Sequence, residues 1–370
     1  MNKPIYFPGL NGLRAISALA VVISHVTLGL GFFNLDPYIF GAVKDGSPAG
    51  LSLAGYGVSI FFALSGFLIT YLLEEEKETS KTINVKKFYL RRVLRIWPLY
   101  YLYLIIAIVV ISLFGVQFKF STLLYYIFFA ANIPFIRNVP ILLIAHYWSI
   151  GVEEQFYLFW PWVVKKISKN IVPILVVAAV MLIGIKVIFH SRYPGSIVET
   201  SITVTRFHCM LMGAIGAILY RRKNKQFLAI ADNKIAQLVG FIVIFLAAIN
   251  KFHVASIIDN EFVSMIAVVL IIGQVNIKNR IINLDLEIFD YLGKISYGIY
   301  IIHPLIIFLF YKFISVGSPV WYKYVLIYLG VITTTLITAH LSYKYYETYF
   351  LKLKRKVSVV LSSGTKHTES

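Results

Sequence analysis

The sequence predicts an all-α fold: a polytopic membrane helical bundle of about ten transmembrane helices plus one re-entrant or interfacial segment. Three observations carry this. First, 59% of the 370 residues are hydrophobic, only 14% are charged, and the mean hydropathy is +0.77; soluble domains run at roughly 45–50% apolar and about 25% charged. Second, apolar runs near the roughly 20 residues needed to span a bilayer recur along the whole chain. Third, the 35 Lys and Arg residues outnumber the 17 Asp and Glu and gather between those runs, as they do on the cytoplasmic side of membrane proteins. This composition excludes an ordinary soluble enzyme, a disordered chain, a coiled coil and a disulfide scaffold. Cys209 is the single cysteine, so an intrachain disulfide or a Cys-rich metal site is excluded too.

Taken in order, the candidate spans are 12–33, 51–73, 97–115, 121–136, 147–163, 171–190, 204–220, 236–250, 262–275, 295–311 and 324–343. The first begins too close to Arg14, runs too long and lacks a small-residue cleavage site, so it is a retained span and not a signal peptide. No repeat or low-complexity segment interrupts the series; the only linker-like stretch is the polar tail from about Ser358. Residues 1–350 form the membrane domain and 351–370 a cytoplasmic polar tail.

Five basic clusters set the topology: Lys77 to Arg95, Lys165/Lys166/Lys169, Arg221/Arg222/Lys223/Lys225, Lys278/Arg280/Lys294 and Lys344 to Lys356. If all are cytoplasmic, an even number of spans separates each pair. Three candidates lie between the first and second clusters, so one does not cross. The run 121–136 has 16 residues and carries Asn132 and Pro134; it is the re-entrant or interfacial one. Ten spans remain, both termini are cytoplasmic, and 25 of the 35 basic residues fall on one side, seven on the other and three within spans. The basic excess is therefore mostly orientation, and nucleic acid need not be invoked.

Ionisable groups inside spans are functional candidates by default. Arg14 and His25 share the first helix; eleven residues return to within about 20° of the same face, some 16 Å further along. Imidazole is the usual general base near neutral pH. The alternative is a snorkelling Arg14 and a His25 that bonds a neighbouring helix. In the segment Lys86 to Pro98, Arg91 and Arg95 share a helix face with Arg92 beside them. Arginine forks suit phosphate oxygens; the alternative is contact with anionic lipid. Glu153 and Glu154 are the carboxylates well inside a predicted span, and adjacent helix positions point about 100° apart. They do not both face one small site, so they are not a glycosidase-like pair; one binds substrate or orients a histidine while the other pairs with a cation, Arg206 being the structural choice. Ser65 and Gly66 read as helix packing. His303 precedes Pro304, where an unwound carbonyl would use an imidazole donor. His208, Cys209 and His340 read as core, and Lys186 as snorkelling outward. No metal site is expected.

Together the Gly12-Leu13-Arg14-Ala15 start with His25, the Phe61–Leu68 segment, the Arg91/Arg92/Arg95 cluster ending in Trp97-Pro98, Trp148 to Tyr157, Arg206-Phe207 with Gly213, and Tyr297 to His303 resemble acyltransferase family 3, the integral-membrane acyltransferases. The resemblance runs from Gly9 to about Tyr349. It implies a ten-helix core with cytoplasmic termini in the cell inner membrane, and transfer of an acyl group, acetyl above all, from acyl-coenzyme A to a hydroxyl, commonly on a cell-envelope glycan. Acyl-CoA is then a donor substrate, and no cofactor is held permanently. By the same resemblance His25, Arg14, Glu153 and Glu154 are the catalytic set and Arg92 and Arg95 meet the donor's phosphates; the mechanism expected here adds Arg91 to them. Arg206, His303, Trp148 and Ser65 are assigned to the substrate. Ser59 departs from the family, many members of which are acidic there. Some members carry an extracytoplasmic hydrolase-like domain; the chain ends about 20 residues after the last span, so none is expected. The partners are acyl-CoA, a glycan or lipid-linked sugar acceptor and membrane lipid, with a homodimer left open. The rival readings are acylation of a small lipophilic hydroxyl compound such as a macrolide, a secondary transporter, and a binding or assembly protein without chemistry. The absence of a repeat argues against a transporter.

Overall fold

A computed structural model describes residues 4–39, 41–42, 46, 48–50, 52–166, 170–255, 257–314, 320–360 and 362–363. Lys44, Lys169 and the last seven residues of the predicted tail lie outside the described residues. Among the described residues sixteen α-helices follow one another: α1 (Leu10–Gly29), α2 (Ser52–Ser80), α3 (Val85–Leu113), α4 (Phe120–Ile127), α5 (Asn132–Ile136), α6 (Tyr147–Lys166), α7 (Ile171–Arg192), α8 (Ile197–Thr205), α9 (Phe207–Arg221), α10 (Lys225–Ala231), α11 (Lys234–Ala248), α12 (Asp259–Val275), α13 (Glu287–Lys294), α14 (Ser296–Phe313), α15 (Trp321–Ser342) and α16 (Thr348–Lys356). Two-residue strands β1 (Ile5–Tyr6) and β2 (Ser362–Ser363) pair in parallel.

Each of the ten retained runs coincides with a helix, α8 and α9 together forming one. Among the described residues, seven helical segments are long and apolar enough to cross a membrane. The other three fall short for visible reasons. α6 carries Glu153, Glu154, Lys165 and Lys166; α12 has 17 residues; and α11 has 15, meeting α10 at a bend of 51°. Large apolar side chains of α7, α11 and α15, among them Val180, Phe245 and Leu329, stay exposed, the arrangement expected of faces turned to lipid rather than water.

The run 121–136 does not form a continuous helix. It breaks into α4, of eight residues, and α5, of five, with Phe129 at φ 55° between them. At about 1.5 Å per residue neither crosses a bilayer. Non-helical backbone at membrane depth needs protein partners for its polar groups, and these are present. The Tyr100 and Tyr101 hydroxyls donate to the carbonyls of Tyr126 and Ile127 at 2.6 and 2.8 Å, and the Gln155 amide donates to that of Phe129 at 3.1 Å.

All five basic clusters sit at one end of the bundle. Lys77 donates to the Val164 carbonyl at 3.0 Å, joining the first cluster to the second. Arg221 bonds Glu75 and Glu78, both at 2.6 Å, joining the third. Arg95, Lys294 and Arg355, from the first, fourth and fifth, line one cavity. The β1–β2 pairing brings both ends of the chain together at that end, as an even number of crossings requires. The core seam between α2 and α9 depends on glycine: a Cβ on Gly66 would lie 2.0 Å from the Met210 carbonyl oxygen, and one on Gly213 2.0 Å from that of Ala63. These two helices touch backbone to backbone, the membrane mode of close packing.

Candidate active site

A cavity of about 260 Å³ lies at the basic end and runs inward as far as Ser149 and Tyr300. Its geometry begins at the start of α1. Gly9 holds φ 71°, a left-handed conformation that suits glycine, and its N–H donates to Asp285 at 3.2 Å. The Tyr6 hydroxyl also donates to Asp285; burial first, then that carboxylate, pushes the Tyr6 phenol above its ordinary range, so it stays a neutral donor in the cavity wall. Two residues on, Asn11 donates to Asp290 at 2.8 Å and accepts from Arg14 at 3.0 Å. Arg14 is thereby aimed into the cavity.

The wall is strongly cationic. Arg14, Arg92, Arg95, Lys294, Lys354 and Arg355 all line it, against the single carboxylate of Glu153. Lys294 is neutralised by Asp290 at 2.5 Å. Among the described residues no ion pair engages the other five. Arg92 rests its guanidinium 5.8 Å from the rings of both Phe88 and Tyr157, and its Nε is buried without a hydrogen-bond partner among the described residues. Cations crowded into a site of low polarity are costly until an anion joins them. Glu153 is turned to the same cavity and accepts from Ser65 at 2.5 Å.

Two of these cations come from the segment expected to be a polar tail. A π-helical turn, Tyr343–Glu347, follows α15, and there Tyr346 donates to the Pro98 carbonyl at 3.2 Å. This lays α16 beside α3, so the tail forms part of the cavity wall. Sequence reasoning counted Lys354 and Arg355 only as orientation signals; their spacing from the last span was the available clue.

Deeper in the bundle, three imidazoles meet. Nδ1 of His25 lies 2.7 Å from Nε2 of His303, and the rings of His303 and His146 are 5.4 Å apart. His25 does not line the cavity. Tyr300, which does, donates to the His146 carbonyl at 3.0 Å and bonds Ser149 at 2.6 Å. His146 was missed because it stands just outside its predicted span; it is buried, and among the described residues its Nε2 meets no hydrogen-bond partner.

α14 continues through Pro304 without unwinding. The proline leaves the Tyr300 carbonyl without its helical donor, and the His303 ring meets that carbonyl as well as the Ile299 carbonyl, the latter at 3.2 Å. The expected unwinding is thus corrected: the helix runs on, and the imidazole one residue before the proline meets carbonyls of the preceding turn.

The remaining candidates stand elsewhere. Arg91 turns away from the cavity and pairs with Glu76 at 2.8 Å, both buried. Glu154 points to Trp97, whose Nε1 donates to it at 3.0 Å, so the two glutamates do diverge. Arg206 pairs with no glutamate. It sits at the α8–α9 break with φ 44° and donates to the Gly55 carbonyl, Ser59 Oγ and Asn260 Oδ1 at 2.9, 3.1 and 3.1 Å. Neutral oxygens, that of Ser59 among them, meet the guanidinium. Trp148 lies 5.5 Å from Arg206, and neither lines the cavity. Ser65 bonds Glu153 rather than merely packing. Lys186 does not snorkel: it is 1% exposed and pairs with Glu261 at 2.6 Å, which also meets His208 at 2.8 Å.

Comparison with known proteins gives the same direction. O-acetyltransferase OatA of Staphylococcus aureus, strains NCTC 8325 / PS 47 and COL, is 24% identical over 379 residues, covering 94% of this chain and 58% of the relative. A further Staphylococcus aureus protein with an O-acetyltransferase name is 27% identical over 383 residues, 95% of this chain and 58% of its own length. The chain thus spans a little over half of these relatives. No solved structure matches it. The family described as an acyltransferase domain, Acyl_transf_3, matches residues 7–341. With nearly the whole chain covered, the protein belongs to acyltransferase family 3.

Proposed function

We propose that this membrane protein moves an acyl group, acetyl above all, from acyl-coenzyme A to a hydroxyl of an exported or surface polysaccharide or of its lipid-linked precursor. One observation carries the reading: a cavity with five cations outside any ion pair and one carboxylate runs inward to Tyr300, beside a buried histidine cluster. Coenzyme A is a polyanion on a long uncharged arm. Its phosphates would rest on Arg92, Arg95, Lys354 and Arg355, and its arm would pass Arg14 towards His25. The relatives' O-acetyltransferase names support oxygen as the acceptor and acetyl as the group.

In this mechanism His25 takes the proton of the acceptor hydroxyl. The oxygen bonds to the thioester carbonyl carbon, the C–S bond breaks, and the leaving thiolate takes the proton from the imidazolium. Free coenzyme A, the ester and neutral His25 result. Base catalysis of this kind contributes typically about 10²–10⁴-fold. Glu153, held by Ser65, binds acceptor or arm groups rather than polarising His25. The basic end is assigned to the cytoplasm by the positive-inside rule, with both termini there and the protein in the inner membrane.

The test is acetyl-CoA turnover in proteoliposomes, paired with mass spectrometry of envelope glycans from cells with and without the protein. Loss of one acyl mass per acceptor identifies donor and acceptor together. His25→Ala is expected to abolish transfer at unchanged protein level; retained transfer removes His25 from the mechanism.

A further inference from the structure

We propose that His303 is a positioning residue that holds His25 as its Nδ1–H tautomer, leaving Nε2 of His25 as the nitrogen that accepts the proton. This rests on the reading of His25 as the general base.

His303 is fully buried. Its Nδ1 lies 3.2 Å from the Ile299 carbonyl oxygen. A carbonyl oxygen only accepts, so Nδ1 of His303 carries the hydrogen. Neutral imidazole has one N–H, and Nε2 of His303 is therefore a bare acceptor. That nitrogen sits 2.7 Å from Nδ1 of His25. The contact requires a hydrogen from one side, and only His25 can supply it. The chain of donation runs from His25 Nδ1–H to His303 Nε2, and from His303 Nδ1–H to Ile299.

The ring geometry fits. The centroids are 4.9 Å apart and the planes 22° from parallel. A nitrogen contact of 2.7 Å at that separation puts both nitrogens near the line joining the rings. The imidazoles meet edge to edge, where the lone pair and the N–H both lie. None of the ion pairs among the described residues places a carboxylate on His25, His303 or His146. Orientation of the base here falls to a neutral imidazole, in the place that a carboxylate holds in hydrolase triads. When Nε2 of His25 takes the acceptor's proton, the imidazolium keeps its Nδ1–H on His303 Nε2. The charge is then met by a lone pair already in place, and no ring turns during the step.

Two variants and one spectroscopic measurement test this in the full-length reconstituted protein with acetyl-CoA as donor. His303→Leu keeps apolar bulk and removes the acceptor. It is expected to lower kcat by about 10²–10⁴-fold, the range of base catalysis, with the donor KM within twofold. His303→Gln can place its amide oxygen near the former Nε2 and is expected to recover at least about tenfold of that loss. Equal losses in both variants, at equal Tm, or an unchanged kcat in His303→Leu, would overturn the proposal. Nitrogen-15 labelling of histidine reads the tautomer without turnover, with His25 assigned by its absence in His25→Gln. The hydrogen is expected on Nδ1; a hydrogen on Nε2 refutes the proposal whatever the activity. A wild type that never consumes acetyl-CoA would sink the acyltransferase reading alone, and the labelling would still decide the tautomer.

Discussion

Arg91 and Arg92 are neighbours in sequence that face different surroundings in the fold, Glu76 for one and the cavity for the other, and substitution separates them. Arg91 lies in a buried pair with Glu76, which also accepts from the Asn84 N–H at 2.8 Å and so ties the turn between α2 and α3. Removing one partner of a buried pair strands the other charge, at a cost of about 3–5 kcal/mol. Arg91→Ala is therefore expected to lower Tm and yield while the protein that remains keeps its donor KM. Arg92→Ala loses a lining cation that no ion pair engages, so it is expected to raise donor KM at unchanged Tm. Thermal shift in detergent and acetyl-CoA kinetics check both; the reverse pattern would return Arg91 to the donor site. Sequence spacing grouped Arg91 with Arg95, because positions four apart share a helix face. In the fold Arg92 and Arg95, three apart, share the cavity. Both spacings are compatible with one face, and what decides between them is Glu76, fifteen residues away across a turn. Sequence periodicity carries no information on that pairing. The direction of Glu153 and Glu154, in contrast, followed from helix geometry alone, since no straight helix turns adjacent residues to one side.

At the scale of elements, α16 is where reading and structure part most. Its low apolar content marked it as tail, and by hydropathy that is what it is. Its role comes from the neighbours it meets: the π-helical turn reaches Pro98, and β2 returns to β1. Such long-range pairing of polar segments leaves no periodic trace. Lys354→Gln together with Arg355→Gln is expected to raise the donor KM severalfold and to steepen its salt dependence less than wild type, because fewer charges meet the phosphates. kcat at saturating donor should stay within about twofold, since neither residue approaches the histidines. An unchanged KM would return α16 to the role of a lipid-surface helix. α4 and α5 show the opposite case. Span parity required one run before Lys165 not to cross, its length with Asn132 and Pro134 singled out 121–136, and the chain obliges with a break whose carbonyls are met by Tyr100, Tyr101 and Gln155.

At the scale of the whole molecule, charge and fold agree in a way that can be read from outside the cell. The five basic clusters were grouped by counting spans, and the structure gathers them at one end by Arg221–Glu75, by Lys77–Val164 and by the shared cavity wall. That end also holds the donor site proposed here, so orientation and chemistry are one question: a coenzyme A thioester is supplied from the cytoplasm, and a cavity facing outward would never meet it. Cys209 makes the question tractable. It is the single cysteine of the chain and is fully buried, so impermeant thiol reagents have no native target at the surface. Asn138, after α5, and Lys225, at the start of α10, are both exposed and lie at the two predicted faces. In intact cells Asn138→Cys is expected to label at once, and Lys225→Cys only after the membrane is permeabilised. Labelling of both from outside would break the odd number of crossings, three, predicted between them. Labelling in the reverse order would invert the bundle and, with it, remove the donor from the reach of Arg92, Arg95, Lys354 and Arg355.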